Sequence, residues 1–162
     1  MHAARAIPGI ALCAALFAVL LAGTVAQAAE PAASAPQSTA APDPFDTVKM
    51  PGGVEYRELA VGTGASAYPG TTVFVQYTGW LQNPDGSRGT KFDSSRDAGV
   101  PMTFMLGDGK VIRGWEMGLQ GMKVGGKRRL FIPSALAYGT KGTSSIPPNS
   151  NLIFDVELVG IQ

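Results

Sequence analysis

Val111-Ile112-Arg113-Gly114-Trp115-Glu116-Met117-Gly118-Leu119-Gln120-Gly121-Met122 is the stretch whose reading decides the fold. It is too rich in glycine to be helical by propensity alone, because each interior glycine costs about 0.8–1.0 kcal/mol relative to alanine. Trp115, Leu119 and Met122 nevertheless recur at helical spacing, so they share one face. Gly114, Gly118 and Gly121 leave the backbone unshielded and let other elements approach closely. A helix this short is stable only when something wraps it. The segments on both sides are strand-like and can do so. The expected arrangement is a short helix against a sheet, with Trp115 as the floor of an apolar cavity between them.

On the N-terminal side, Gly52-Gly53 opens a strand over residues 54–59, and Gly62-Thr63-Gly64 and Pro69-Gly70 are turns. Residues 71–81 form a long strand with Val73, Val75, Tyr77 and Leu81 on one face and Phe74, Gln76 and Thr78 on the other. Residues 82–90, with Asn83-Pro84-Asp85-Gly86, read as an exposed loop. Residues 91–95 resume as strand or bulge, and Pro101 precedes a short strand over 102–106. On the C-terminal side, Gly125-Gly126 ends the helical stretch and residues 127–132 are a strand. Residues 134–138 are a brief turn or helix, and 139–149 a loop with Pro147-Pro148. The last strand, 151–161, sends Leu152, Phe154, Val156 and Leu158 one way, Asp155 and Glu157 the other. Many strands with one short helix predict an α+β fold, a mostly antiparallel sheet with the helix on one face.

Not all of the chain belongs to that domain. Residues 1–28 read as a secretory signal peptide: Arg5 gives the positive start, residues 10–22 an apolar run, and Ala26-Gln27-Ala28 a small-x-small cleavage site. The alternative is an uncleaved membrane anchor. Residues 29–44 are Ala, Pro, Ser, Thr and Gln with little else, which predicts a disordered linker. The domain is expected over 45–162.

The one cysteine, Cys13, and the one histidine, His2, both fall inside the signal. A mature chain would have neither, which excludes Ser-His and Cys-His nucleophilic catalysis and ordinary zinc chemistry. It also suits an oxidising compartment without reliance on disulfides. Without Arg5, the remaining 12 Lys and Arg balance 12 Asp and Glu. Such a balance points to neither nucleic acid nor an anionic membrane as partner. Two motifs fail. Gly121 to Lys127 spells G-x-x-x-x-G-K, but a helix precedes it, a strand follows, and Arg128 stands where magnesium binding needs a hydroxyl. Ser94-Ser95 near Lys91 lack the S-x-x-K spacing of a Ser-Lys nucleophile and read as structural serines. The basic triplet Lys127-Arg128-Arg129 reads as a solvated strand face.

Apolar residues beside a few polar groups recur through the domain. The stretches Val75-Gln76-Tyr77-Thr78-Gly79, Lys91-Phe92-Asp93-Ser94-Ser95-Arg96, Phe104-Met105-Leu106-Gly107, Val111-Ile112-Arg113-Gly114-Trp115-Glu116, Ala137-Tyr138-Gly139, Ile146-Pro147-Pro148-Asn149 and residues 152–158 occur in one order. In that order they resemble the FKBP-type peptidyl-prolyl cis-trans isomerases, over about residues 52–162. The resemblance implies a twisted antiparallel sheet curled around one short helix. It implies a proline pocket floored by Trp115, walled by Tyr77, Phe92, Val111, Ile112 and Phe154, and covered by a flap carrying Tyr138 and Ile146. Ligands of the family accept hydrogen bonds from the backbone N–H at Ile112 and the hydroxyl at Tyr138, and Asp93 is the polar group on the rim, either holding Tyr77 or polarising the rim. Met102 stands in the wall where many members have Phe. Ala98 and Lys110 replace commonly charged or polar rim residues.

The loop before Ile146 is one residue shorter than in the common short members, with Thr143 where some have His, and the loop at 82–90 is several residues longer. By resemblance, the chain is an isomerase acting on proline-containing segments of exported proteins, in the periplasm by preference, as a monomer that binds macrolides such as tacrolimus or rapamycin and needs no metal or cofactor. A non-catalytic proline-binding module and a membrane-anchored folding scaffold are the alternatives.

Overall fold

The computed structural model describes residues 45–162, all within one compact unit. The expected signal and linker, 1–44, lie outside the described residues. In chain order the strands are β1 (Thr47–Lys49), β2 (Glu55–Ala60), β3 (Thr72–Gln82), β4 (Arg88–Ser94), β5 (Met102–Met105), β6 (Lys127–Ile132) and β7 (Leu152–Ile161). Helix α1 (Ser95–Ala98) joins β4 to β5, and α2 (Arg113–Gly118) lies between β5 and β6. The seven strands make one antiparallel sheet, six of them in the order β1-β2-β6-β7-β3-β4 with β5 off that path beside β3. β5 pairs with the first half of β3, Thr72 opposite Met105 through Val75 opposite Met102, while β4 pairs with the second half. The fold is the α+β sheet expected, with a second short helix.

Period-two alternation sets the inner face. Val73 and Val75 of β3, Leu130 and Ile132 of β6, and Leu152, Phe154, Val156 and Leu158 of β7 are all buried. Trp115, Leu119 and Met122 join them in one core cluster, so the face read from their spacing is the buried one. The helix itself is shorter than the twelve-residue stretch. It ends at Gly118, and the backbone beyond it is claimed by another segment: Gly121 N–H donates to Ala67 O at 2.8 Å and Ala67 N–H to Met122 O at 2.8 Å. These bonds replace the next helical turn. Gly114 and Gly118 are where β6 crosses. A Cβ at Gly118 would sit 2.7 Å from Leu130 Cδ2, and one at Gly114 would collide with Ile132. The glycines therefore set the distance between helix and sheet.

Three local expectations change. The loop at 82–90 is only residues 83–87, because a tight turn (Gly86 N–H to Asn83 O, 2.9 Å; Ser87 N–H to Asp85 Oδ1, 2.9 Å) lets Arg88 pair with Gln82. Helix α1 was not expected: Ser94 caps it by accepting the Arg96 N–H at 3.2 Å, and Gly99, at φ 71°, ends it. Strand β1, three exposed residues, offered no periodicity to read.

The basic triplet is not a solvated face. β6 alternates, so Arg128 points inward with Leu130 and Ile132 and is 4 % exposed. Its guanidinium stacks on Tyr56 at 4.0 Å, donates to Glu58 Oε1 from Nε at 2.9 Å, and donates to Gly118 O at 2.5 Å and Gln120 O at 3.3 Å. Those two carbonyls lie at the C-terminal end of α2, where a cation offsets the negative end of the helix dipole. Arg129 does face outward, in a bidentate pair with Asp155 at 2.6 and 2.8 Å.

Candidate functional site

The inner face of β3, the end of β4, the start of β5, the turn into α2 and the inner face of β7 converge on one cavity of about 480 Å³. Trp115 lies at its base, 3 % exposed. Its ring meets Tyr77 edge-on at 4.9 Å and 80°, and Phe154 edge-on at 5.2 Å and 85°. Phe92 meets Phe154 edge-on at 5.5 Å, and Phe104 backs the indole at 5.9 Å. Edge-to-face contacts of this kind suit the aromatic quadrupole and add about 0.5–1.5 kcal/mol each beyond burial. The result is a stiff aromatic cup. The indole Nε1–H is buried with no partner among the described residues.

Of the residues expected at the site, Tyr77, Phe92, Asp93, Met102, Val111, Ile112, Trp115, Tyr138 and Phe154 all line this cavity. Ile146 does not. It is 4 % exposed, packs in the core cluster, and closes a turn with Thr143 through Thr143 N–H to Ile146 O at 2.8 Å. Its side chain packs in the same cluster as Trp115 and Phe154, which anchors the flap to the base of the cup. Arg113 and Ala137 line the cavity as well and were not singled out from the sequence. Both sit next to residues that were, Ile112 and Tyr138, and adjacency was the only signal available. Lys110 lies at the mouth, paired with Asp108 at 2.6 Å.

The polar groups are few and most are committed. Tyr77 Oη donates to Asp93 Oδ2 at 2.5 Å, and Ser94 N–H donates to Asp93 Oδ1 at 2.8 Å. Of the two placements open for Asp93, the geometry has it holding Tyr77. Burial, and then the hydrogen bond to Asp93 and its charge, push the Tyr77 phenol well above its ordinary value. Burial and the Asp93 charge raise Tyr138 in the same direction. The serines are structural: Tyr77 N–H donates to Ser95 Oγ at 2.8 Å, Ser95 Oγ donates to Gln76 Oε1 at 2.6 Å, and Ser94 Oγ donates to Tyr77 O at 3.0 Å. Lys91 is taken by Asp97 at 2.6 Å.

The Ile112 N–H and the Tyr138 hydroxyl are, like the indole Nε1–H, uncommitted donors at the cavity. The Ile112 carbonyl accepts the Trp115 N–H at 2.9 Å at the start of α2, but the Ile112 N–H meets no acceptor among the described residues. The Tyr138 hydroxyl meets none either, and Tyr138 is 39 % exposed. An apolar cup with free donors at Ile112 and Tyr138 suits a chain segment that buries one side group and offers carbonyls on either side. Among the described residues, no group of three or more His, Cys, Asp or Glu is placed to hold a metal ion.

Residues 64–159 match the family model for the FKBP-type peptidyl-prolyl cis-trans isomerase. The FK506-binding protein of Neisseria meningitidis serogroup B is 50% identical over 111 residues, 68% of this chain and 97% of that protein. FK506-binding protein 4 of Neurospora crassa is 50% identical over 119 residues, 74% of this chain but only 24% of that protein, so the chain spans about a quarter of such longer relatives. The crystal structure of FkpA from Escherichia coli superposes with a TM-score of 0.63 at 43% identity, covering 72% of this chain and 51% of that one. With the cavity built from the residues quoted above, the chain belongs to the FKBP-type peptidyl-prolyl cis-trans isomerase family.

Proposed function

We propose that this chain accelerates X–Pro rotation by holding the proline in the aromatic cup over Trp115. The observation that carries this reading is the juxtaposition of a buried aromatic cup with unspent donors, among them the Ile112 N–H and the Tyr138 hydroxyl. Rotation about an X–Pro bond is slow because it breaks amide resonance, a barrier of about 18–20 kcal/mol. The twisted amide has lost that resonance and is less polar than the planar one. A dry apolar cavity therefore disfavours the planar ground state more than the twisted state, and only such a difference raises the rate. The Ile112 and Tyr138 donors fix flanking carbonyls and orient the chain across the cup. Asp93 keeps the Tyr77 phenol pinned as part of the wall. No proton transfer and no nucleophile are required.

Export is the second part of the proposal. The pattern of residues 1–28 supports delivery to a periplasmic or secretory space, with proteins folding there as substrates and the linker 29–44 as tether or spacer. Monomeric action and macrolide binding belong to the same reading.

Steady-state rates on an X–Pro peptide for Phe154→Leu and Asp93→Asn separate catalysis from capture. A fall in kcat larger than the rise in KM supports differential stabilisation of the twisted amide. Changes confined to KM would mean that these side chains hold planar and twisted amide alike, and no acceleration by the parent chain would leave a proline-binding module in its place.

A further inference from the structure

We propose that Met102 is an oxidation site through which the pocket is disabled: conversion of its thioether to the sulfoxide removes the apolar wall the cup requires. The proposal rests on the isomerase reading of the same cavity. It begins from the alternation of β5. Met102 and Phe104 share the face that looks toward the core, where Phe104 is buried against Trp115 at 5.9 Å. Met102 lines the cavity yet stays 36 % exposed, so oxidant in solution reaches a side chain that is also part of the site. Met105, on the same strand but the opposite face, is 45 % exposed and does not line the cavity. Met122 is 1 % exposed and out of reach. Residues 45–162 contain no cysteine, which leaves thioethers as their most readily oxidised groups.

The reaction with hydrogen peroxide is balanced. The Met102 sulfur attacks one peroxide oxygen, an S–O bond forms as the O–O bond breaks, and the released hydroxide takes the proton of the transferred oxygen to leave as water. Sulfur loses two electrons and peroxide gains them. A flexible apolar wall becomes a strongly polar one. The Tyr77 hydroxyl is already committed to Asp93, so the sulfoxide oxygen either draws water into the cup or competes with substrate for the cavity's free donors, those of Ile112, Tyr138 and the indole. Both defeat a site that works by being dry.

The test uses the full chain with Cys13→Ser, so that peroxide meets thioethers only. Graded peroxide exposure is followed by peptide mass mapping, the isomerisation rate, and X–Pro peptide binding by tryptophan fluorescence. The rate is expected to fall about tenfold or more in step with Met102 sulfoxide, the scale set by placing an unpaired polar group in an apolar wall. Met105→Leu falls alike, Met102→Leu retains its own starting rate through the same exposure, and methionine sulfoxide reductases restore the oxidised chain. Rate and binding unchanged at complete Met102 oxidation, or an equal loss in Met102→Leu, would overturn the proposal. An untreated chain without catalysis refutes the isomerase reading separately, and the binding measurement then decides Met102.

Discussion

Arg128→Met should be among the most damaging single changes outside the cavity. Arg128 is 4 % exposed, and its partner Glu58 has a side chain only 17 % exposed. The substitution keeps the stem's volume but strands the Glu58 carboxylate and orphans Gly118 O and Gln120 O at the end of α2. Breaking a fully buried pair costs about 3–5 kcal/mol. Glu58 retains some solvent, so the lower end, about 3 kcal/mol, is expected. In a domain of roughly a hundred residues that lowers Tm by roughly 10–15 °C. Glu58→Gln added to Arg128→Met removes the stranded charge and should recover about 1–2 kcal/mol, a sign that only coupling can give. Urea denaturation of the two single variants and the double variant measures it. A cost below about 1 kcal/mol for Arg128→Met, or a double variant no better than the sum of the singles, would refute the role assigned to this ion pair.

Phe154→Ala opens a void beside Trp115 and should cost about 3–5 kcal/mol while abolishing peptide binding; a stable variant that still binds would show that the ring is not a wall. Gly118→Ala gains about 0.5–1 kcal/mol of helix propensity but drives a Cβ to 2.7 Å from buried Leu130, an overpacking cost of about 1–3 kcal/mol, so a net loss near 1 kcal/mol is expected. A variant more stable than the parent would show that β6 yields easily. Tyr77 ionises later in the folded chain than in the unfolded one, so its contribution to stability is complete below the ordinary tyrosine value near 10 and is lost as pH rises above it. Alkaline absorbance titration should show Tyr77→Phe deleting a late ionisation step; deletion of a step near 10 instead would contradict the partial burial of the ring and its bond to Asp93.

The core was legible because period-two alternation and the Trp115, Leu119, Met122 spacing both report directly on burial. So was the pocket, whose lining clusters around the quoted motifs. The ends of α2 were not, because the bonds between Ala67 and residues 121–122 come from a turn distant in sequence. Arg128 was misread because charge composition was weighed over strand parity: its neighbours Lys127 and Arg129 face outward, and the alternation that placed Leu130 and Ile132 inward places Arg128 there too. Ile146 was placed on the flap over the pocket by resemblance, and its burial in the cluster of Trp115 and Phe154 had no periodic signal in a loop. Helix α1 had its signals, Ser94 at the cap and Gly99 after the end, over a span too short for periodicity.

The central claim is tested most directly by the cis-to-trans rate of an X–Pro peptide with the purified full chain, with and without tacrolimus. Acceleration that tacrolimus abolishes is the expected result, since both ligands would occupy the cup over Trp115. Tacrolimus bound with no acceleration would contradict catalysis and leave a proline-binding module.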